Sequence, residues 1–272
     1  MQDIVKEYHG PHKVITCCND FNIGIGRHVS KVVDEASGDY IAFAAGDDIS
    51  KPGRVEHAMS TLLHTLETEN NEVSYSFLSA LTLIDQTGQI FSHSTAPSAG
   101  RKSRLTDEVS QFDLRDLLSG ALHTSGPSRV IPKNLHLLFG EIGADCFTED
   151  IVYLFRSVLV GKVMFSNEET VLYRKHDANM SRHESLYARP FAGVAAQLRA
   201  DLRVAIEKGF LSSDDAELAS EWIEKNVAFR RFYQKKLSGE RPFFSDLVSI
   251  IRSSHLTFRR KFGIFREYIG IR

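Results

Sequence analysis

The sequence predicts an α/β domain over residues 1–183, a mostly parallel sheet flanked by helices, with a helical C-terminal region over 184–272. Three observations predict it. Strand-like and helix-like segments alternate along the first sixty residues, as in βαβ units. Tyr40-Ile-Ala-Phe-Ala-Ala45 is a continuous apolar run closed by Gly46, the pattern of a buried strand covered on both faces. From Glu184 onward the strand signals stop and only helical periodicity remains.

Element by element, Asp3 to Tyr8 reads as a helix stopped by His9-Gly10-Pro11, and Lys13 to Cys18 as a short β-rich run. Asn22 to Gly26 is a glycine loop. His28 to Ala36 follows as a helix with Val29, Val32, Val33 and Ala36 on one face, ended by Gly38. The strand at 40–45 then leads through Gly46-Asp47-Asp48 and Lys51-Pro52-Gly53 into a helix from Arg54 to about Leu66. Glu72 to Ile84 reads as a strand closed by the turn Asp85-Gln-Thr-Gly88. Ser92 to Thr106 is rich in Ser, Ala, Pro and Gly and is expected to be a mobile loop. Gln111 to Leu118 and Pro132 to Phe139 are expected helices. Glu149 to Val160 is a helix burying Ile151, Leu154, Phe155, Val158 and Leu159, capped by Gly161, and Val163 to Tyr173 is a strand. Asp214 with Glu217 forms a capping box, followed by Leu218, Trp222, Phe229 and Tyr233 at helical spacing.

Composition removes several function classes. With 272 residues, 42% hydrophobic and 25% charged, the chain is neither disordered nor a disulfide scaffold. The net charge of −2 argues against nucleic acid as a partner. No apolar stretch reaches the roughly 18 residues of a membrane span, and Met1 is not followed by an apolar signal segment. Three cysteines, two of them adjacent at 17 and 18, fit a reducing compartment, so a cytoplasmic location is expected.

Four elements carry candidate chemistry, and each also admits a structural explanation. Asp47 and Asp48 follow a strand at its carboxyl end, where open α/β sheets bind ligands. Paired carboxylates there suit Mg²⁺ or Mn²⁺ shared with substrate phosphates, or else simply cap the next helix. The Asn22–Gly26 loop lets backbone amides approach a phosphate, or is a plain turn; position 29 is Val, so the third glycine of a dinucleotide fingerprint is missing. Thr148-Glu149-Asp150 opens a helix, either to complement its dipole or to present a general base. Tyr173-Arg174-Lys175-His176 follows a strand and is either an anion site or a solvated basic face.

In this order the four elements resemble the family 2 glycosyltransferases of the GT-A fold, over residues 1–182. The matching residues are Asn22 and Gly24, Gly38-Asp39-Tyr40-Ile41, Gly46-Asp47-Asp48, and Tyr75-Ser76 with Ile84-Asp85 and Gly88. Thr148-Glu149-Asp150 and Tyr173-Arg174-Lys175-His176 with Asn179 and Ser181 complete the set. The resemblance implies inverting transfer of a sugar from a nucleotide-diphospho donor to a saccharide or lipid-linked acceptor hydroxyl, in cell-surface polysaccharide or glycolipid synthesis. It implies Asp48 and Asp47 as ligands of Mg²⁺ or Mn²⁺, Asp150 as general base, and Glu149 as the residue orienting acceptor or base. Asn22, Gly24, Asp47, Arg174 and His176 would contact the donor. Two departures stand out. The first acid of the family's D-x-D is replaced by Ala45, and the chain begins after the two strands with which the family opens. An N-terminal truncation of one βαβ unit, about 30 residues or more, is therefore expected.

Two other classes compete: a non-catalytic glycosyltransferase-like scaffold, and a dinucleotide-dependent oxidoreductase using the Gly24–Gly26 loop. Residues 241–272 carry seven Lys/Arg against two acids, with Phe243, Phe244, Phe258, Phe262 and Phe265 between them. Such a segment either docks peripherally on the inner face of the membrane or packs its apolar stripe onto the domain.

Overall fold

The computed structural model describes residues 2–69, 73–94, 108–122, 126–177, 179, 187–252, 261, 264–266 and 268. Helix α1 (Gln2–Glu7) stands at the N-terminus, and α2 (Ile25–Glu35) starts at Gly24. Strand β1 (Tyr40–Ala42) and the two-residue β2 (Ile49–Ser50) flank the Asp47–Asp48 loop, and α3 (Arg54–Thr68) follows. The long β3 (Ser74–Ile84) turns into β4 (Ile90–Ser94); β5 (Val109–Phe112) precedes α4 (Leu114–Leu118). Next come β6 (Val130–Pro132), α5 (Lys133–Phe139), α6 (Asp150–Val160) and β7 (Gly161–Arg174). Among the described residues, the helices α7 (Ala192–Glu207), α8 (Ser213–Leu237) and α9 (Phe244–Arg252) follow.

Among the described residues the sheet has seven strands in the order β1-β6-β3-β7-β2, with β4 added to β3 and β5 to β7. Its spine is the parallel pair β3–β7, in register from Ser74↔Gly161 to Ile84↔Arg174. Every other pairing is antiparallel, so the sheet is mixed and the expected mostly parallel one is corrected. Among the described strands only β3–β4 is a hairpin; β1 meets β6, β2 meets β7 and β5 meets β7 across long stretches of chain that return antiparallel.

β7 is irregular at its middle. Its register against β3 shifts between Ser79 and Leu81, leaving extra residues around 167–170 on β7. Its other edge pairs β5 through Val163–Ser166 and β2 through Val171–Leu172. The bulge thus passes one strand edge from one partner to another, and a bulge also bends and twists the strand that carries it.

Several expected elements differ. The run 40–45 is not a buried central strand: β1 ends at Ala42 and pairs only with β6, with Tyr40 and Ile41 half-buried and Ala44 and Ala45 exposed. An apolar run cannot by itself distinguish a central position from an edge one. Lys13 to Cys18 forms no strand and leaves Val14 and Ile15 exposed, because no neighbouring strand offers it a ladder among the described residues. Gln111 and Phe112 belong to β5, and Asp113 rather than an upstream residue opens α4 through a reciprocal capping box with Asp116. The cap of α8 is Ser212, whose hydroxyl accepts from the Asp215 amide, so Asp214 sits inside the first turn and the Asp214–Glu217 box is not used. Of the stretch 92–106, Ser92 to Ser94 lie in β4; the remainder lies outside the described residues. Ile151 is half-buried, while Leu154, Phe155, Val158 and Leu159 are buried as expected.

The C-terminal helices share the main core. Phe191, Val194, Leu198, Trp222 and Ile223 belong to the same buried cluster as Phe155, Leu159 and Phe165. Trp222 of α8 stacks on Phe155 of α6, and the buried Arg156–Asp201 ion pair ties α6 to α7. A smaller cluster of Phe232, Leu247, Ile250 and Ile264 packs α9 and the tail onto α8. Among the described residues, no helix is long and apolar enough to cross a membrane.

Candidate functional site

The Asp47–Asp48 loop is closed by residues that follow β7. Arg174, at the end of β7, donates its backbone N–H to Asp48 Oδ1 at 2.8 Å and its Nε to the Asp47 carbonyl at 2.9 Å. The same guanidinium donates to the carbonyls of Asp85 and Gln86 at 3.1 and 3.2 Å. One side chain therefore pins the 47–48 loop and the 85–88 turn to the end of β7. His176 Nε2 lies 2.9 Å from Asp47 Oδ2, and the buried Asn179 reaches the same oxygen at 3.4 Å while donating to the Arg174 carbonyl. The sequence motifs at 46–48 and 173–179, about 130 residues apart, meet at one place.

Asp48 is half-buried, and its Oδ2 is buried without a hydrogen-bond partner. Burial pushes its carboxyl above the ordinary range, and the neighbouring Asp47 adds to this; the Arg174 amide and the charges of Arg174 and Arg54 oppose it. Arg54, 5% exposed, spans from Ser50 Oγ at 2.8 Å to the Phe43 carbonyl. Its burial lowers its own basicity, and Asp48 partly restores it. A buried unpaired carboxylate oxygen is expensive unless a proton or a cation meets it.

Among the described residues no group of three or more His, Cys, Asp and Glu is placed to hold a metal ion. A protein-only cage is therefore absent there. Asp47 and Asp48 still supply the hard carboxylate oxygens that Mg²⁺ takes one or two at a time when substrate phosphates and water complete the shell. The orphaned Asp48 Oδ2 is the atom that fits this use.

The second carboxylate pair opens α6. Asp150 Oδ1 accepts from Arg129 at 3.0 Å, and the Arg129 side chain is only 1% exposed. A Cβ on Gly126 would lie 2.3 Å from Asp150 Oδ1, so a larger residue there would displace the carboxylate from its present place beside Arg129. Glu149 is half-buried; burial first, and Asp150 second, push its carboxyl up to about 7, with Arg129 pulling the other way.

Phe43 links the two pairs. Its carbonyl accepts from Arg54, beside Asp48, and its amide donates to the Arg129 carbonyl at 2.9 Å. Its ring lies under the Arg129 guanidinium at 5.6 Å and against Tyr153 at 5.3 Å. Arg54, Phe43 and Arg129 carry no motif signal. A buried arginine is invisible in a sequence because its partner lies in another element.

The Asn22–Gly24 loop belongs to a different contact. Asn22 Oδ1 accepts the Gly24 amide at 2.9 Å, forming a local turn. Gly24, at φ +83, would place a Cβ 2.9 Å from the Ala144 carbonyl, and Gly26 would press on Ile142 and Gly143. Both glycines are accounted for by this close approach to the loop that leads into Glu149 and Asp150. The loop thus packs on the segment that leads into the second pair.

No family model matches the chain. Over 90 residues it is 34% identical to the uncharacterized glycosyltransferase MJ1057 of Methanocaldococcus jannaschii, an alignment covering 33% of this chain and 29% of that protein.

Proposed function

We propose that this chain is a glycosyltransferase that moves a sugar from a nucleotide-diphospho donor to an acceptor hydroxyl, with inversion at the sugar carbon. The carrying observation is the meeting of Asp47 and Asp48 with Arg174, His176 and Asn179 at one sheet end, with a second carboxylate pair held apart on α6 and joined to it through Phe43. The similarity to MJ1057 supports the reaction class.

In this reading Asp48 Oδ2 and Asp47 would hold Mg²⁺ or Mn²⁺, which supplies charge neutralisation to a departing diphosphate. His176 stands beside Asp47 on the donor side. Arg174 acts mainly by holding the carboxylate loop in place, since three of its donors are committed to backbone carbonyls. The Glu149–Asp150 pair receives the acceptor hydroxyl proton. As the acceptor oxygen bonds to the sugar carbon, the bond to the diphosphate oxygen breaks on the opposite face.

Lipid-linked acceptors fit the tail, where Phe243, Phe244 and Phe265 are exposed, Lys235 lies over Phe243 and Arg241 over Tyr268. Isothermal titration with UDP- and GDP-sugars, with and without Mn²⁺, tests the proposal. Metal-dependent heat from one donor class supports it. No binding of any nucleotide sugar favours the non-catalytic scaffold.

A further inference from the structure

Arg54 stands where local preference would not put it. It is the first residue of α3, where the helix dipole disfavours a cation, and it is 5% exposed although its guanidinium stays charged. A residue that breaks two local rules is held in place by its tertiary contacts.

Those contacts bracket the loop 44–49. The guanidinium donates to the carbonyl of Phe43, just before the loop, and to Ser50 Oγ, just after it, the latter at 2.8 Å. Phe43 is fixed by its amide bond to the Arg129 carbonyl, one step beyond the β1–β6 pairing. Ser50 is fixed by the pairing of β2 with β7, and the Lys51 amide adds a bond to the Thr170 carbonyl at 2.9 Å. β1 and β2 stand at opposite ends of the strand path β1-β6-β3-β7-β2, so one side chain joins the two ends of that path. A rigid planar fork suits two acceptors on different strands; a lysine ammonium is a point charge on a flexible stem.

Asp47 and Asp48 ride on the bracketed loop. Asp48 Oδ1 accepts the Arg174 amide, while Asp48 Oδ2 and Arg54 Nε are both buried without a hydrogen-bond partner. The charge of Asp48 supports the buried guanidinium, although no hydrogen bond joins these two atoms. An open anionic oxygen and an open cationic N–H are costly to bury, and they persist only where the surrounding backbone is firmly held.

We propose that Arg54 is a positioning residue: its fork sets the separation of the two loop ends, and through them the place at which Asp48 is presented to a divalent cation. Arg54 makes no bond to donor or acceptor in this role. The cation's part rests on the glycosyltransferase reading; the staple across the loop does not.

The Arg174 amide is the reporter, because its acceptor is Asp48 Oδ1. Amide hydrogen exchange, followed by NMR on the intact metal-free chain, is compared across Ser50→Ala, Ser50→Thr and Arg54→Lys. Ser50→Ala removes one leg of the staple, and Arg54→Lys keeps the charge but not the fork. Each is expected to speed exchange at Arg174 by about fivefold or more, the scale of one lost hydrogen bond. Ser50→Thr keeps a hydroxyl and should restore the parent rate. Amides of the β3–β7 ladder around Phe77 should exchange at parent rates in all three variants, which a general loss of stability would not allow. Ser50 is exposed, so Ser50→Ala decides the matter even if Arg54→Lys does not fold. An Arg174 amide unchanged in Ser50→Ala, or ladder amides that speed up with it, overturns the positioning role.

Binding of Mn²⁺ alone, read by water-proton relaxation, is scored separately. Affinity is expected to fall about three- to tenfold in Ser50→Ala and to return in Ser50→Thr. A chain with the expected exchange pattern that binds no Mn²⁺ removes the metal part of the glycosyltransferase reading and leaves the staple standing. Mn²⁺ binding that ignores Ser50→Ala, beside the expected exchange pattern, overturns the link from staple to cation.

Discussion

Trp222 stacks on Phe155 with ring centroids 5.6 Å apart and planes inclined by 11°, joining α8 to the helix that begins at Glu149 and Asp150. The helical region therefore supports the element that carries the second carboxylate pair. Trp222→Ala is expected to lower stability by about 3–5 kcal/mol, the usual range for removing a buried aromatic. Denaturant unfolding followed by far-UV circular dichroism measures it, and loss of α8 signal alone, with the sheet intact, would count against a shared core.

Arg156 and Asp201 make a bidentate pair, 2.8 and 3.1 Å, from side chains 0% and 1% exposed. Arg156→Met alone leaves a buried carboxylate uncompensated and should cost about 3–5 kcal/mol. The double change Arg156→Met with Asp201→Leu should recover most of that loss. Thermal melts of the single and double variants decide it; equal losses would mean the Arg156 bond to the Gly140 carbonyl matters more than the ion pair.

Asp48 gives a pH signature. Its native carboxyl holds its proton more tightly than in the unfolded chain, so the folded state binds more protons in that window. Stability is greatest below the unfolded value of about 3.9 and falls as pH rises through the raised native value. Asp48→Asn keeps the acceptor for the Arg174 amide and should remove this part of the fall, so without metal the variant matches or exceeds the parent at neutral pH. The same variant should lose any Mn²⁺-induced rise in melting temperature, and EDTA should abolish that rise in the parent. An unchanged Mn²⁺ response in Asp48→Asn would take Asp48 out of the metal role.

Asp150→Asn should lower sugar transfer by on the order of 10² to 10⁴ while donor affinity stays close to that of the parent, because the shape is kept and the base is lost. Transfer within a few-fold of the parent would reject it.

The tail carries net positive charge and exposed phenylalanines, yet Leu247, Ile250 and Ile264 already pack on Phe232. Salt-sensitive co-sedimentation with anionic vesicles, weakened by Phe243→Ser with Phe244→Ser, is the expected outcome, each Lys or Arg near the surface contributing roughly 1 kcal/mol. A chain that stays in the supernatant at low salt has a tail that serves packing alone.

Some of this was settled by local chemistry. The α6 apolar stripe, the β3 and β7 runs, the Asp85–Gly88 turn and the 46–48 and 173–179 motifs are legible because period, turn residues and helix starts are properties of neighbouring residues. Tertiary structure decided the rest. Of the run 40–45 only Tyr40 to Ala42 became a strand, at the sheet edge, because an apolar run is compatible with more than one position in a sheet and pairing partners choose among them. Gly24 and Gly26 sit at a close approach between the start of α2 and the 142–146 loop, a contact between positions some 120 residues apart. Arg54 and Arg129 became central because burial and a carboxylate partner arrive from other elements. A single chain segment fixes its own conformation, but the neighbours that set its burial, charge balance and acidity are brought to it only when the sheet is assembled.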